Sequence, residues 1–227
     1  MKTSGLWLWF DSGKEEAALN MATDEALLNA MPALQKPVLR FYGWTQPAAS
    51  FGYFQNFADV EALTPLRPLV RRPTGGGIVP HDADWTYSAA FPAGHPWYEL
   101  QAIESYRAIH DWIRRAFLKL ALQTELAPEQ QKSGLGQCFR GHERFDLLHH
   151  GSKIAGAAQR RTRAGLLIQG SVQPPQPDLP RGDWQNAMLT TAGGAAWEKF
   201  TPTPEFRETA ARLTQEKFGA EWFVKKR

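Results

Sequence analysis

The segment "RRPTGGGIVPHD", which runs from Arg71 to Asp82, places three consecutive glycines beside two arginines and a histidine–aspartate pair. Consecutive glycines cost backbone entropy on folding and offer no side chain to a core. They are useful where the backbone must approach a ligand closely, or where its N–H groups face an anion or a carbonyl. The run Gly75, Gly76 and Gly77 therefore predicts either a ligand-contacting loop or a plain tight turn with a bulge.

Two known glycine motifs do not account for this run. It matches neither the "GxxxxGK[ST]" phosphate loop nor the "GxGxxG" dinucleotide fingerprint, so both are excluded. Arg71 and Arg72 are adjacent at the end of a β-type run, and neighbouring strand residues point to opposite faces. We therefore expect one arginine to reach a ligand and the other to meet solvent.

The chain has one cysteine, Cys138, in the polar, glycine-rich segment "GLGQCFRG". A lone cysteine is most often a small buried hydrophobe. The glycine-rich setting disfavours a core position and leaves a nucleophile as the alternative. Because there is no second cysteine, an internal disulfide is impossible, which fits a reducing compartment.

Lys153 opens the segment "GSKIAGAAQ". A lysine in such a place is usually a solvated strand end. The small residues that follow, among them Gly156 and Ala157, are unusual for a strand and would leave room for a substrate chain beside the backbone. The segment therefore predicts either an exposed strand end or one wall of a binding site.

Residue patterns elsewhere predict the strands that position these groups. Eight segments are of β type: "LWLWF", "PVLRFYGW", "PAASFGYF", "PLVRR", "DWTYSAAF", "RFDLLHH", "KIAGAAQRR" and "GLLIQGSV". Residues 149–152, "HHGS", predict a hairpin turn between the sixth and seventh of them. The proline-rich "SVQPPQPDLPRGDW" predicts a long irregular loop.

Three helices are also expected. Ser12 and Glu15 have capping-box spacing and predict a helix that ends near Met31 and Pro32. An apolar stripe predicts a second helix over residues 101–122. The third lies in "TPEFRETAARLTQEKFG", with Thr203, Pro204 and Gly219 as its end signals. The predicted fold class is α+β, with a mixed, largely antiparallel sheet and flanking helices.

Composition limits the possible classes of protein. The 227 residues are 43% hydrophobic, which suits a single domain spanning 1–227 with a buried core. Nine tryptophans and thirteen phenylalanines predict a core or a cleft lined with aromatic rings. The net charge of +3 gives little support for a nucleic-acid partner. No apolar run approaches the roughly 20 residues that span a bilayer, so we expect no membrane partner and a cytoplasmic protein.

Taken together, four segments resemble the lipoate–protein ligase and octanoyltransferase family, which shares the biotin protein ligase catalytic fold. They are "NMATDEALL", "VLRFYGW…ASFGYFQN", "VRRPTGGGIVPHD…TYS" and "GSKIAGAAQRR…GLLIQGSV", in the family's order, within a motif core of about residues 15–175. The resemblance implies that the glycine segment faces an acyl pocket and that Lys153 contacts the acyl carbonyl. The implied substrate-binding residues are Arg71, Arg72, Gly75, Gly76, Gly77, His81, Gly156 and Ala157.

The family contains two chemistries, and Cys138 separates them. It is followed by phenylalanine and precedes Lys153 by fifteen residues, as in cysteine-dependent octanoyltransferases. The resemblance implies transfer of an octanoyl or lipoyl group from acyl carrier protein to a lysine of a lipoyl domain or a glycine cleavage H-type protein, with no metal and no cofactor. One alternative is an ATP- and magnesium-dependent lipoate–protein ligase that forms an acyl-adenylate. Another is a non-catalytic acyl-binding protein of the same fold.

The chain departs from the family pattern at two places. Gln169 stands where the family usually has a histidine, which removes an imidazole from the site. Pro80 precedes the His81–Asp82 pair, and Ala83 follows it. Residues 176–227 are expected to form a C-terminal loop and helix, without the accessory domain of the longer ligases.

Overall fold

The computed structural model describes residues 5–131, 141–176 and 178–226, which contain eleven strands. In chain order the strands are β1 Leu6–Glu15, β2 Val38–Trp44, β3 Ala48–Phe51, β4 Leu69–Arg71, β5 Val79–His81, β6 Trp85–Pro92, β7 Glu125–Leu126, β8 Leu147–His149, β9 Ser152–Thr162, β10 Gly165–Val172 and β11 Ala196–Lys199. The α-helices in these ranges are α1 Ala17–Leu34, α2 Phe57–Leu63, α3 Pro96–Glu99, α4 Ala102–Lys119, α5 Arg181–Thr190, α6 Pro204–Leu213 and α7 Glu221–Val224, with a π-helical turn at Thr214–Phe218.

Eight strands form one sheet in the order β11-β1-β2-β6-β10-β9-β8-β7. The two pairs that β1 makes, with β11 and β2, are parallel, and the remaining pairs of this sheet are antiparallel. A small sheet of order β4-β3-β5 carries the residues on either side of the glycine run. The predicted α+β class, with a mixed and largely antiparallel sheet, is therefore confirmed.

Helices cover both faces of the large sheet, so its central strands alternate between two apolar layers. On β2, Leu39 and Phe41 pack with α4 and α5, whereas Val38 packs toward α1. All eight residues of β6 and of β10 are buried. The sheet is thus packed on both sides, and its strands β9 and β10 support the site described below.

Most aromatic rings are in the core rather than in a cleft. Trp7 makes edge-to-face contacts at centroid distances of 5.5–5.7 Å with Phe91, Trp112 and Trp197. Such contacts add to the area that each ring buries. The aromatic-rich composition therefore reflects a packed layer beneath α4.

The predicted start of the first helix is wrong. Strand β1 continues through Ser12 to Glu15, because Lys14 and Glu15 pair with β2 after a bulge. Helix α1 begins only at Ala17, and its cap residue makes no side-chain cap hydrogen bond. The capping-box spacing at Ser12 was therefore overridden by strand pairing.

The predicted end of that helix is also three residues short. Pro32 lies inside the last turn of α1, and the helix ends at Leu34. Gln35 adopts a left-handed conformation, with φ of 49°, and its N–H donates to the carbonyl of Met31. Proline has no N–H, so α1 loses the hydrogen bond that residue 32 would donate to the carbonyl of Leu28, and the helix continues for two more residues.

The proline-rich segment is shorter than predicted, because helix α5 begins at Arg181 and buries Trp184. After it, β11 adds a parallel edge to the large sheet. The closing helix is confirmed, with Thr203 accepting a hydrogen bond from the N–H of Phe206 and Pro204 in the first helical position. Helix α4 is confirmed too, although Ile103 of its predicted apolar stripe is 48% exposed.

The predicted hairpin turn is confirmed between β8 and β9. His150 and Gly151 both have positive φ, 49° and 74°, as a tight two-residue hairpin requires. Across the described ranges, no helix combines the length and apolarity needed to cross a bilayer.

Candidate active site

A pocket with an empty volume of about 490 Å³, part of it open to solvent, lies between the glycine loop (residues 73–78) and strands β9 and β10. Gly76 contributes to one wall, and the small residues Gly156, Ala157 and Ala158 form the other. The other lining residues are Met21, Tyr42, Trp44, Ser50, Arg72, Val79, His81, Thr86, Lys153, Gln169, Gly170 and Ser171. The pocket is narrow and mostly apolar, with a few polar groups that converge on it.

Arg72 fixes the shape of the glycine loop. Its guanidinium donates to the carbonyls of Gly75 and Gly77 at 2.9 and 2.8 Å, and to Ser50 Oγ at 2.9 Å. Gly76, with φ of 89°, lies between these two carbonyls and has a conformation that favours glycine. A Cβ on Gly52 would lie 2.0 Å from the Gly76 carbonyl oxygen, so the residue after β3 and the loop can approach this closely only because Gly52 has no side chain.

Arg71 does not line the pocket, and it does not meet solvent either. Its side chain is buried and donates to main-chain carbonyls of Tyr53, Gln55, Phe223, Val224 and Lys226. Arg72 is also buried, so the expectation that one arginine of the pair is solvated is wrong. Arg71 instead ties the loop after β3 to the C-terminal segment.

Lys153 reaches the pocket because β9 is irregular. The register shifts between Leu147 and Leu148 of β8, so Lys153 and Ala155 pair with adjacent β8 residues. Such a bulge changes the face to which a side chain points. A Cβ on Gly156 would lie 2.8 Å from Lys153 Cε and Nζ, so a larger residue there would force the lysine side chain to shift.

Lys153 is paired with a buried carboxylate. Its Nζ lies 2.7 Å from Asp146 Oδ2, and the side chains are 8% and 0% exposed. Asp146 also accepts from the Glu143 N–H at 2.7 Å and from the hydroxyl of Tyr106. Burial, reinforced by Asp146, raises the pKa of Tyr106 well above its usual value, so this phenol stays a donor. The solvated-strand-end interpretation of Lys153 is therefore wrong.

Behind this pair, His110 of α4 is buried beside Tyr106, with ring centroids 4.3 Å apart. Its Nδ1 bonds the Tyr106 carbonyl at 2.9 Å, and its Nε2 has no partner among the described residues. Burial lowers the pKa of His110 to about 4, against an opposing contribution from Asp146. The imidazole is therefore neutral at neutral pH.

His81 lies on the opposite side of the pocket. Its Nε2 is 2.6 Å from Ser50 Oγ, and its Nδ1 is 2.9 Å from Asp84 Oδ2. The imidazole stacks on Trp44, with centroids 3.9 Å apart. Both ring nitrogens are thus occupied by groups of the protein.

Gln169 of β10 joins the glycine loop to α1. It accepts from Thr74 Oγ1 of the glycine loop at 2.7 Å and donates to Asp24 Oδ2 of α1 at 2.7 Å. Asp24 is fully buried and forms an ion pair with Arg40 at 2.7 Å. The amide therefore holds the glycine loop against a buried charge pair.

The structure brings together six of the residues predicted to form the site: Arg72, Gly76, His81, Lys153, Gly156 and Ala157. Gly75 and Gly77 do not line the pocket, because their carbonyls face Arg72. Cys138, predicted as the nucleophile, lies outside the described residues. Within the described ranges, no cluster of three histidine, cysteine, aspartate or glutamate side chains could hold a metal ion.

Sequence reasoning missed several members of the site, including Ser50, Gly52, Asp84, Tyr106 and Asp146. Each belongs to a segment that had been recognised, but only as a strand or a helix. The signal that was available for Asp146 is its position in "RFDLLHH", where a carboxylate interrupts an apolar strand seven residues before a lysine. A buried charge in such a place needs a partner of opposite sign.

The sequence matches the lipoyl protein ligase A/B catalytic domain over residues 16–173, which agrees with the predicted motif core. It is 37% identical over 179 residues to octanoyltransferase LipM of Halalkalibacterium halodurans, covering 73% of this chain and 65% of that protein. The match to octanoyltransferase LipM of Bacillus subtilis is 38% identical over 179 residues, covering 73% and 64%. The chain thus spans just under two thirds of the length of the curated relatives it matches.

Solved structures show the same fold at lower identity. A lipoate-protein ligase A bound with ATP superimposes with a TM-score of 0.73 at 19% identity, covering 99% of both chains. The bipartite lipoate protein ligase of Thermoplasma acidophilum gives a TM-score of 0.67 at 18% identity, covering 99% of this chain and 96% of that one. At these identities the likeness concerns the fold alone.

The lowered pKa of His110 predicts a pH dependence of stability. Between about pH 6.5 and pH 4 the unfolded chain binds a proton at this histidine that the folded chain does not, so stability falls as the pH falls through that window. The loss amounts to about 3 kcal/mol at the acid end. We expect the free energy of unfolding, measured with urea from pH 4 to pH 7.5, to change less steeply with pH in His110→Phe than in the unaltered chain.

His150→Asn is the matched control, because His150 is exposed in the β8–β9 turn and asparagine tolerates its positive φ. It should leave the pH dependence of the free energy of unfolding unchanged. Parallel curves for His110→Phe and the unaltered chain would contradict the assignment of a neutral, buried imidazole.

Proposed function

Since the chain belongs to the lipoyl protein ligase A/B catalytic-domain family, we propose that it is an acyltransferase that moves an octanoyl or lipoyl group onto a lysine of a lipoyl domain. The matched relatives that carry the name octanoyltransferase support the acyl group. The observation that carries the proposal is Lys153, a cation held by a buried carboxylate at the wall of a narrow apolar pocket.

The pocket suits the two parts of an acyl thioester. Its apolar walls accept a medium-length chain, and the small side chains from Gly156 to Ala158 let that chain lie against β9. Lys153 then stands where the carbonyl end of the chain would be. An ammonium at that point stabilises the oxyanion that forms when a nucleophile attacks.

Cys138 is the proposed nucleophile, on the sequence evidence given above. Its thiolate attacks the carbonyl carbon of octanoyl-acyl carrier protein, the bond from that carbon to the carrier's sulfur breaks, and the carrier leaves as a thiol. The octanoyl group then forms a thioester with Cys138. The ε-amine of the acceptor lysine attacks this thioester, which yields the amide and restores the cysteine.

The donor is therefore an acyl carrier protein, and the acceptor is a lipoyl domain or a glycine cleavage H-type protein. The exchange of one thioester for another is nearly isoenergetic, and the step from thioester to amide is downhill. No ATP, metal or other cofactor is required for either step.

The alternative is an ATP-dependent lipoate–protein ligase. A solved structure of the same fold is a lipoate-protein ligase A bound with ATP, so the fold does not decide between the two chemistries. Under this alternative, Arg72 and Lys153 would face an acyl-adenylate and Cys138 would have no role. A non-catalytic acyl-binding protein is the second alternative, and it would leave the Lys153–Asp146 pair without a chemical task.

The nucleophile is tested by intact mass. After mixing with octanoyl-acyl carrier protein, the chain should gain the mass of one octanoyl group, and hydroxylamine should remove it because thioesters are labile to that reagent. Cys138→Ala should gain nothing. If Cys138→Ala still transferred octanoyl to a lipoyl domain at the parent rate, the assignment of Cys138 as the nucleophile would be contradicted.

The role of Lys153 is tested with its buried partner. Lys153→Met leaves Asp146 without a counter-charge, which should cost about 3–5 kcal/mol of stability and lower the transfer rate at least about 10²-fold. The double variant Lys153→Met with Asp146→Asn removes both charges. It should regain most of the stability and none of the rate, measured by urea unfolding and by single-turnover transfer.

Lys36→Met is the control, because Lys36 forms an exposed pair with Glu198 at 3.7 Å. It should change neither quantity measurably. Recovery of transfer in the double variant would show that Lys153 acts only on stability.

A further inference from the structure

Ser50, His81 and Asp84 form a continuous hydrogen-bonded chain at the pocket. Ser50 Oγ is 2.6 Å from His81 Nε2, and His81 Nδ1 is 2.9 Å from Asp84 Oδ2. Ser50 and His81 both line the pocket, while all three side chains are almost completely shielded from bulk water. A row of serine, imidazole and carboxylate at these distances can move a proton along its length.

The fold places these residues together across the small sheet. On the antiparallel pair β3–β5, His81 lies opposite Ala48 and Val79 opposite Ser50, so Ser50 and His81 are diagonal neighbours on one face. Asp84 follows β5 by three residues. Trp44 stacks on the imidazole and fixes the plane of the ring.

The directions of the hydrogen bonds define the tautomer. Asp84 Oδ2 also accepts from Ser171 Oγ at 2.6 Å and from Thr86 Oγ1 at 3.1 Å, so it is an acceptor toward His81 Nδ1–H. Nε2 of the neutral ring then carries the lone pair and accepts from Ser50. Arg72 donates to Ser50 Oγ at 2.9 Å, which leaves the serine proton for the imidazole.

The proposed reaction leaves one proton without an acceptor. The incoming lysine arrives as an ammonium, which has no lone pair and cannot attack a thioester. Lys153 is a cation paired with Asp146 and is no acceptor for a second proton. His110 is neutral, but it lies on the buried side of α4 and does not line the pocket.

We propose that Ser50, His81 and Asp84 are a proton relay that deprotonates the acceptor lysine. The ammonium gives a proton to Ser50 Oγ as the serine proton passes to His81 Nε2, and Asp84 balances the imidazolium. The neutral amine attacks the thioester carbon, a C–N bond forms, and the C–S bond breaks with its electron pair on sulfur. The second amine proton goes to that sulfur, and His81 releases the first to solvent. This inference rests on the proposed function.

Three other charged or titratable groups line the pocket around the relay. Arg72 contacts Ser50 from the glycine loop, Lys153 lines the pocket from β9, and Tyr42 lines it from β2. Burial, followed by Asp24, raises the pKa of Tyr42 well above its usual value, so this phenol is uncharged.

The test measures two steps separately in single-turnover experiments: formation of the octanoyl-enzyme, and transfer of the octanoyl group to a lipoyl domain. His81→Gln should form the octanoyl-enzyme within about threefold of the parent rate, since that step involves no ammonium. Transfer from the preformed octanoyl-enzyme to a lipoyl domain at pH 7 should fall about 10²-fold or more. The deficit should shrink as the pH rises toward 10, where lysine loses its proton in solution.

Two further variants keep the outcome decisive if His81→Gln does not fold. Ser50→Ala interrupts the relay and should give the same pH-dependent deficit. His150→Asn changes an exposed histidine that does not line the pocket, so its transfer should stay within a few-fold of the parent.

Loss of both half-reactions by the same factor at every pH would show a structural role and overturn the relay, as would parental transfer by Ser50→Ala. If the unaltered chain forms no octanoyl-enzyme, the proposed function itself fails and the relay with it. That outcome is seen before any variant is measured.

Discussion

The contacts of Arg72 hold the candidate site together. One guanidinium donates to two carbonyls of the glycine loop and to Ser50 of β3, so the loop, the small sheet and the polar side of the pocket share one anchor. Arg72 can make these contacts only because Gly76 has a positive φ and Gly52 has no Cβ. A buried cation therefore shapes the backbone of the glycine loop, and Gly76 contributes to the pocket wall.

Three buried carboxylates near this pocket each pair with a different side chain. Asp24 balances Arg40 beneath the pocket, Asp146 balances Lys153 on β9, and Asp84 orients His81. Asp24 lies on α1, Asp84 just before β6 and Asp146 just before β8, and each accepts hydrogen bonds from different side chains. Buried charges are costly unless paired and hydrogen-bonded. Lys153 and the imidazole of His81 thus line one pocket, and each is held by its own carboxylate.

The strand pattern and the family were predictable from the sequence because period-two alternation and motif order are local signals. The contacts that give the site its chemistry were not. Lys153 faces Asp146 only because of a bulge in β9, and Ser50 meets His81 only through the pairing of β3 with β5. Helix α5 was not predicted for a related reason. The prolines before it suggested a loop, and the burial of Trp184 that stabilises the helix is not a local signal.

The acceptor's mass under two donor conditions tests the central claim most directly. A lipoyl domain is incubated with the chain and either octanoyl-acyl carrier protein without ATP, or free octanoate or lipoate with ATP and magnesium. Acylation from the carrier protein alone, with little or none from the free acids, is the result that acyl transfer predicts. Robust acylation from free lipoate and ATP, undiminished in Cys138→Ala, would contradict it and establish a ligase.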